Sequence, residues 1–353
     1  MVRQKKNWDE DDVRINKSRQ FGSSNKTRPR TKDRPDYSKA QTATIIEVDR
    51  GRVQCLIEAG ENKTIITAMK ARELGPKSVV VGDRVGLVGD VSGKTDSLAR
   101  IVTITERRNS LSRTVDDAAK VERTIVANID QLVIVVAATN PPPRRGLIDR
   151  FLVSAFNEGI APVILVTKTD LGQIPEFMEE YKTLGVKILT TAIKTESKEA
   201  DLQRLHEMLT GKISVLVGHS GVGKSTLINA IVPEADRATG VINDISGRGR
   251  HTSSSAVALP LFSPAHVGAI GWVIDTPGIR AFGLSHIDPN RIVAAFEDLS
   301  PIAATCMTNC AHHGAGCQLD IWAAPDGVID EVRTARVASL RSLLDAPKVE
   351  LEQ

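Results

Sequence analysis

Gly218-His219-Ser220-Gly221-Val222-Gly223-Lys224-Ser225 spells GxxxxGK[ST], the spacing of a loop built to hold phosphate. Its glycines let successive backbone amides turn toward phosphate oxygens, and the helix opening at Thr226 adds the positive end of its dipole. Lys224 then reaches the terminal phosphates and Ser225 ligates Mg²⁺. Asp275-Thr276-Pro277-Gly278 ends an apolar strand, where phosphate-loop enzymes place the acid that holds Mg²⁺ and a glycine amide for the γ-phosphate. Thr167-Lys168-Thr169-Asp170 adds selection of the base. An Asp there accepts both hydrogen bonds from the Watson–Crick edge of guanine, adenine offers no matching pair of donors, and the Lys168 stem can lie along the base plane. Thr191-Ala192 follows the next strand, where a backbone amide would meet the guanine oxygen. The constellation implies GTP or GDP with Mg²⁺.

A second cluster implies a different metal. Cys306, Cys310 and Cys317 fall within a dozen positions, with His312 and His313 between them, a density that reads as metal binding in a reducing compartment rather than a disulfide scaffold. Three thiolates and one imidazole close a tetrahedral zinc shell with no open position, a structural site, one ion per chain. His312 and His313 compete for the fourth place. Cys55, in a strand, reads as a small core residue. His206, His219, His266 and His286 have no partner constellation and read as structural; the His219 side chain is expected to face away from the phosphates.

These side chains need a scaffold, and 353 residues with 41% apolar and 25% charged content can build two or three domains. The first 40 residues hold twelve Lys/Arg against six acids and no apolar period, so 1–39 reads as a basic, disordered arm that binds phosphate backbones or serves only as a solvated tail. No apolar stretch follows the basic start, and the longest apolar run, 132–138, is far short of the roughly 18–20 residues of a membrane helix, so neither export nor a membrane is expected. Runs at 42–48, 52–57, 64–68, 79–88 and 99–105 predict five short strands, hence a small barrel over 40–110 of the oligonucleotide-binding (OB) type, with an SH3-like barrel fitting nearly as well. It lacks the aromatic residues on which bases stack. Over 111–290, runs at 131–137, 163–167, 186–190, 213–217 and 269–274 alternate with helical patterns, including 147–156 ended by Gly159, and predict an α/β domain with a mostly parallel sheet. The Cys/His cluster lies in 291–345, with a final helix whose Ile329, Val332, Leu340, Leu343 and Leu344 share one face, Val337 at its edge and Arg336 interrupting; 346–353 is a tail.

The order of the motifs is the informative part. Base-selecting residues precede the phosphate loop here, the reverse of ordinary GTPases, so the domain is circularly permuted. With a barrel before it and a Cys/His cluster after it, the chain resembles the ribosome small-subunit-dependent GTPase A family over roughly 40–320. The resemblance implies a cytoplasmic, monomeric GTP hydrolase that binds the small ribosomal subunit and its rRNA, is activated by it, and assists its late maturation. It also implies that Gly249-Arg250-His251-Thr252-Ser253 is the first switch, with Thr252 sensing Mg²⁺ and γ-phosphate. The family's Asn is Thr167 here, and its zinc pattern C-x4-C-x-H-x5-C is one residue shorter in each long gap. Ile279 follows the glycine of the second switch where a water-orienting Gln would stand, so His251 is the nearest polar group for that work, or else it contacts RNA or caps the loop. Two other readings remain at this point: a permuted GTPase acting on the large subunit, and a nucleotide-regulated RNA-binding protein with little hydrolysis.

Overall fold

The computed structural model describes residues 37–49, 51–59, 62–75, 79–94, 96–114, 122–232, 256–262, 269–276, 287–313 and 316–345. Strands β1 (Gln41–Asp49), β2 (Arg52–Ala59), β3 (Asn62–Lys70), β4 (Arg84–Gly89) and β5 (Ala99–Ile104) close a barrel in the order 1-2-3-5-4-1. Every pairing is antiparallel except β3 with β5. That topology is the OB type, not the SH3-like alternative. Val53, Cys55 and Ile57 point inward at the two-residue period of a strand, joining Ile45, Ile66, Val85, Leu87 and Ile101 in the barrel core. The opposite face is buried too, because Ile46 and Leu56 pack into the core of the next domain.

One expected strand is shorter than its apolar run. Within the run 79–88 strand β4 begins only at Arg84, with Val81 bridging Val126 instead, because Asp83 turns the chain: its Oδ2 accepts the Val80 N–H at 2.9 Å, and Arg107 holds both its oxygens at 2.7 and 2.9 Å. Gly82 lies at φ +90, and a Cβ there would meet the Ala127 carbonyl oxygen at 2.0 Å. Glycine is therefore required where the barrel touches the hairpin of β6 (Ser110–Thr114) and β7 (Glu122–Ala127), which the sequence reading did not anticipate.

The second sheet runs β10 (Lys187–Thr190), β9 (Ala161–Thr167), β8 (Gln131–Ala137), β11 (Ile213–Val217), β13 (Ala269–Asp275), β12 (Val257–Phe262). The first five are parallel, and β12, also unanticipated, runs antiparallel to β13 and on its other side meets β1 at Glu47 and Val257. Its strands are continuous apolar runs because helices cover both faces. Leu132, Ile134 and Val136 of β8 face α1 (Arg145–Asn157) with its Ile148, Phe151 and Leu152, whereas Val133 and Val135 face α3 (Lys198–Leu209) and α4 (Lys224–Ile231). Between α1 and α3 lies the single turn α2 (Glu180–Thr183). Parallel strands put their carboxyl ends along one edge, the place where open α/β sheets bind ligands.

The C-terminal part is helical. Helix α5 (Pro289–Ala294) begins with Pro289 and is capped by Asp288, whose Oδ1 accepts the Asn290 N–H at 2.8 Å. After α6 (Ser300–Ala303) and α7 (Gln318–Ala323), α8 (Glu331–Leu344) buries Val337, Leu340 and Leu343 against Ile292, Phe296 and Leu319. The predicted apolar face is rotated from this one. Ile329 precedes the helix and Val332 is exposed, while Val337 is central. Arg336 does not interrupt the packing; it is buried, with Asp149 of α1 at 2.9 Å and Asp298 at 2.7 and 3.0 Å. Its guanidinium also lies 4.4 Å from the Phe296 ring centre. No helix among the described residues is long and apolar enough to cross a membrane.

Candidate nucleotide site and metal cluster

The carboxyl ends of β9, β10, β11 and β13 surround a cavity of about 660 Å³, walled by Thr167, Lys168, Asp170, Leu171, Thr191, Ile193, Lys194, residues of the 218–226 loop, and Asp275. Base and phosphate motifs far apart in the chain thus share one cavity. The loop takes its shape from close packing: Gly218 sits where a Cβ would lie 2.2 Å from the Val135 carbonyl oxygen. Lys224 Nζ donates to the carbonyls of Gly218 at 2.6 Å and His219 at 3.0 Å, and burial holds its pKa below the ordinary lysine value although Asp275 opposes the shift. Burial pushes Asp275 up, offset in part by Lys224. Thr276, which sequence reasoning passed over, pins this strand end by donating its hydroxyl to the Leu216 carbonyl at 2.8 Å.

The base motif is tied to the phosphate loop directly. Thr167 Oγ1 lies 2.5 Å from the Val222 carbonyl and 3.2 Å from that of Val136, and Lys168 Nζ lies 2.7 Å from Gly221 O and 2.5 Å from Asn140 O. Thr167 therefore spends its hydroxyl on the backbone below the cavity. Asp170 is exposed in the cavity wall. Ser220, Gly221, Gly223, Ser225 and Thr226 also line the cavity, as expected.

Two expected positions sit differently. At Thr191-Ala192, where a backbone amide was expected to meet the guanine oxygen, both amides have partners within the protein, Thr191 N–H donating to Val166 O and Ala192 N–H to Asp201 Oδ2, each at 2.8 Å, and the wall there consists of Thr191, Ile193 and Lys194. Val222 is buried in the core between sheet and helices. The His219 ring turns away from the phosphate loop, the orientation expected of it, with its Nδ1 2.9 Å from Ser220 O in a crevice with Pro141 and Leu147. His251, Thr252 and Gly278, the basic arm before Tyr37 and the 346–353 tail lie outside the described residues.

The sulfur and imidazole ligand atoms of Cys306, Cys310, His312 and Cys317 all lie within 4.8 Å of one another. All four cysteines are free of disulfides. The set fits zinc: the donors are soft, and His312 Nδ1 is buried without a protein partner. His313 is drawn elsewhere, its Nε2 3.2 Å from Asp345. Arg341 of α8 fixes the knuckle by donating to the His312 carbonyl at 2.7 Å while pairing with Asp320 at 2.8 Å. Cys55 is fully buried in the barrel, its thiol pushed up to about 12 by burial.

A family model described as RsgA GTPase matches residues 104–285. The small ribosomal subunit biogenesis GTPase RsgA of Alcanivorax borkumensis is 36% identical over 277 residues, covering 76% of this chain and 74% of that one. Its namesake from Paraburkholderia xenovorans is 39% identical over 246 residues, or 68% and 76% of the two chains. Among solved structures, YjeQ from Thermotoga maritima superposes with a TM-score of 0.59 at 26% identity over 86% of this chain and 99% of its own. YloQ, described as a circularly permuted GTPase, gives 0.59 at 24% identity over 88% and 96%, which speaks for the fold alone.

Proposed function

The chain belongs to the RsgA GTPase family, and on that premise we propose that it hydrolyses GTP on the small ribosomal subunit during that subunit's late maturation. The observation that carries the reading is the single cavity in which Asp170 and Thr191 face the 218–226 loop, although the chain visits them in permuted order. In this reading Asp170 accepts the two guanine donors, and Lys168 braces the base side against the phosphate side. Backbone amides of the loop and Lys224 hold the phosphates. Ser225, Asp275 and Thr252 are hard oxygen donors suited to Mg²⁺, which when bound neutralises developing phosphate charge. Cys306, Cys310, His312 and Cys317 would hold one Zn²⁺, which would serve as a structural cross-link for the Cys/His segment beside α8.

Water orientation falls to His251, because Ile279 carries no donor or acceptor. Ordering of the first switch by the subunit would bring that imidazole to the water and raise kcat. The barrel, the knuckle and the basic arm supply the ribosome-facing surfaces, the arm's cations releasing counterions from RNA phosphates. The test is GTP turnover by the full chain alone, with purified small subunits, and with large subunits. Stimulation by small subunits only is expected, and His251→Ala should abolish it while leaving nucleotide affinity intact. Equal turnover in all three conditions would overturn the proposal.

A further inference from the structure

The loop after β10 forms one wall of the nucleotide cavity, and most of its hydrogen bonds close it upon itself. Thr195 donates both its N–H and its hydroxyl to the Ala192 carbonyl, at 3.0 and 2.7 Å, and its Oγ1 lies 2.8 Å from Ser197 Oγ. Beyond the sheet-like bond from Thr191 N to Val166 O at 2.8 Å, a single side chain of α3 reaches back into the loop. Asp201, 3% exposed, accepts the Ala192 N–H at 2.8 Å and the Ser197 hydroxyl at 3.3 Å through Oδ2, and its Oδ1 faces Arg204. Burial works against its charge, but the bonds from Ala192 and Arg204 prevail and hold its carboxyl below the usual range.

Asp201 is not in the cavity wall, so it does not touch a nucleotide there. Thr191 is in the wall, and its Oγ1 is buried with no partner. A hydroxyl left unpaired in a buried setting costs free energy unless a ligand completes it. We propose that Asp201 is a positioning residue for guanine selection: by clamping Ala192 and Ser197 it fixes the 191–197 loop so that the unpaired Thr191 hydroxyl is presented to the base. The inference rests on the guanine-site reading of this cavity. Phosphates are gripped at the far end by the 218–226 loop, so losing the clamp should weaken binding of the base and spare chemistry on the phosphates once nucleotide is saturating.

The experiment is steady-state GTP hydrolysis by full-length Asp201→Ala, Asp201→Asn and Thr191→Val, with melting temperatures and ATP competition measured alongside. Asp201→Ala should raise KM for GTP about tenfold, the size of one hydrogen bond to a charged group, with kcat preserved. Asp201→Asn keeps an oxygen for the Ala192 N–H and should return KM to near the parent value. Thr191→Val should raise KM alone, and it remains informative if Asp201→Ala does not fold. An unchanged KM in Thr191→Val or a folded Asp201→Ala, a loss of kcat in step with melting temperature, or failure of Asn to rescue each overturns the role of Asp201. If the parent itself binds ATP as tightly as GTP, the guanine-site reading fails first, and the clamp with it.

Discussion

Lys168 stands at the end of β9 and places its Nζ 2.7 Å from the carbonyl oxygen of Gly221, 53 residues further along the chain, in the phosphate loop. The same amine lies 2.5 Å from Asn140 O, after β8. One cation thus ties three strand ends together. Circular permutation cuts the chain elsewhere and leaves this bond intact, because it depends on where strands end in space and not on their order.

Removing that tie should loosen both halves of the site. Lys168→Ala forfeits charged hydrogen bonds to two carbonyls, of order 1.5–3 kcal/mol each. Nucleotide affinity should fall at least tenfold, measured by titration with a fluorescent GDP, while Lys168→Arg restores part of it. Unchanged affinity in the Ala variant would contradict the bracing role.

The buried Arg336 offers a test of how the C-terminal helices are held to α1. Truncation to Met leaves the Asp149 and Asp298 carboxylates without their cation, a loss of about 3–5 kcal/mol for a broken buried pair. Urea unfolding followed by Trp322 fluorescence should show the C-terminal helices melting earlier. A variant as stable as the parent would mean that the acids are satisfied by other groups.

Zinc makes a separable prediction. Protein purified without chelators should carry one Zn²⁺ per chain, and Cys310→Ser should lose it; chelation should unfold the knuckle and α8 while the barrel stays folded. Elemental analysis and hydrogen exchange check the two halves. Full protection of α8 after metal removal would contradict a structural role.

Cys55 should be inert in the native state. Its thiol is raised to about 12 by burial, so thiolate is scarce at pH 8 and becomes appreciable only as pH approaches that value. Alkylation of Cys55 should therefore await unfolding, as mass spectrometry of native and urea-treated protein can show.

What could be read from sequence follows physical lines. The phosphate loop was legible because its backbone demands glycine at fixed places, and Gly218 confirms why: the Val135 carbonyl leaves no room for a Cβ. Strand β12 was not, since it carries Pro260, a residue that argues against a paired strand; β1 meets β12 only at Val257, which leaves a missing N–H at Pro260 tolerable. Arg336 looked like a flaw in an apolar stripe because Asp149 lies 187 residues away. A backbone amide at Thr191-Ala192 was assigned to the nucleotide from the position of the motif, but the Ala192 N–H has its partner in a side chain on the next helix, a contact no spacing rule encodes. Thr276 was hidden for the same reason, its hydroxyl serving a backbone carbonyl 60 residues back.

In the proposed function Asp170 reads guanine in a cavity whose other end holds phosphates. Equilibrium titration of the parent and Asp170→Asn with GTP and xanthosine triphosphate measures that selection. An amide can donate to the oxygen that xanthine carries where guanine has an amino group. The parent should prefer GTP, and Asp170→Asn should lose GTP affinity by more than tenfold, about 1.4 kcal/mol for each factor of ten, while gaining the xanthine nucleotide. Retention of the parent's GTP preference in Asp170→Asn would contradict guanine selection by Asp170.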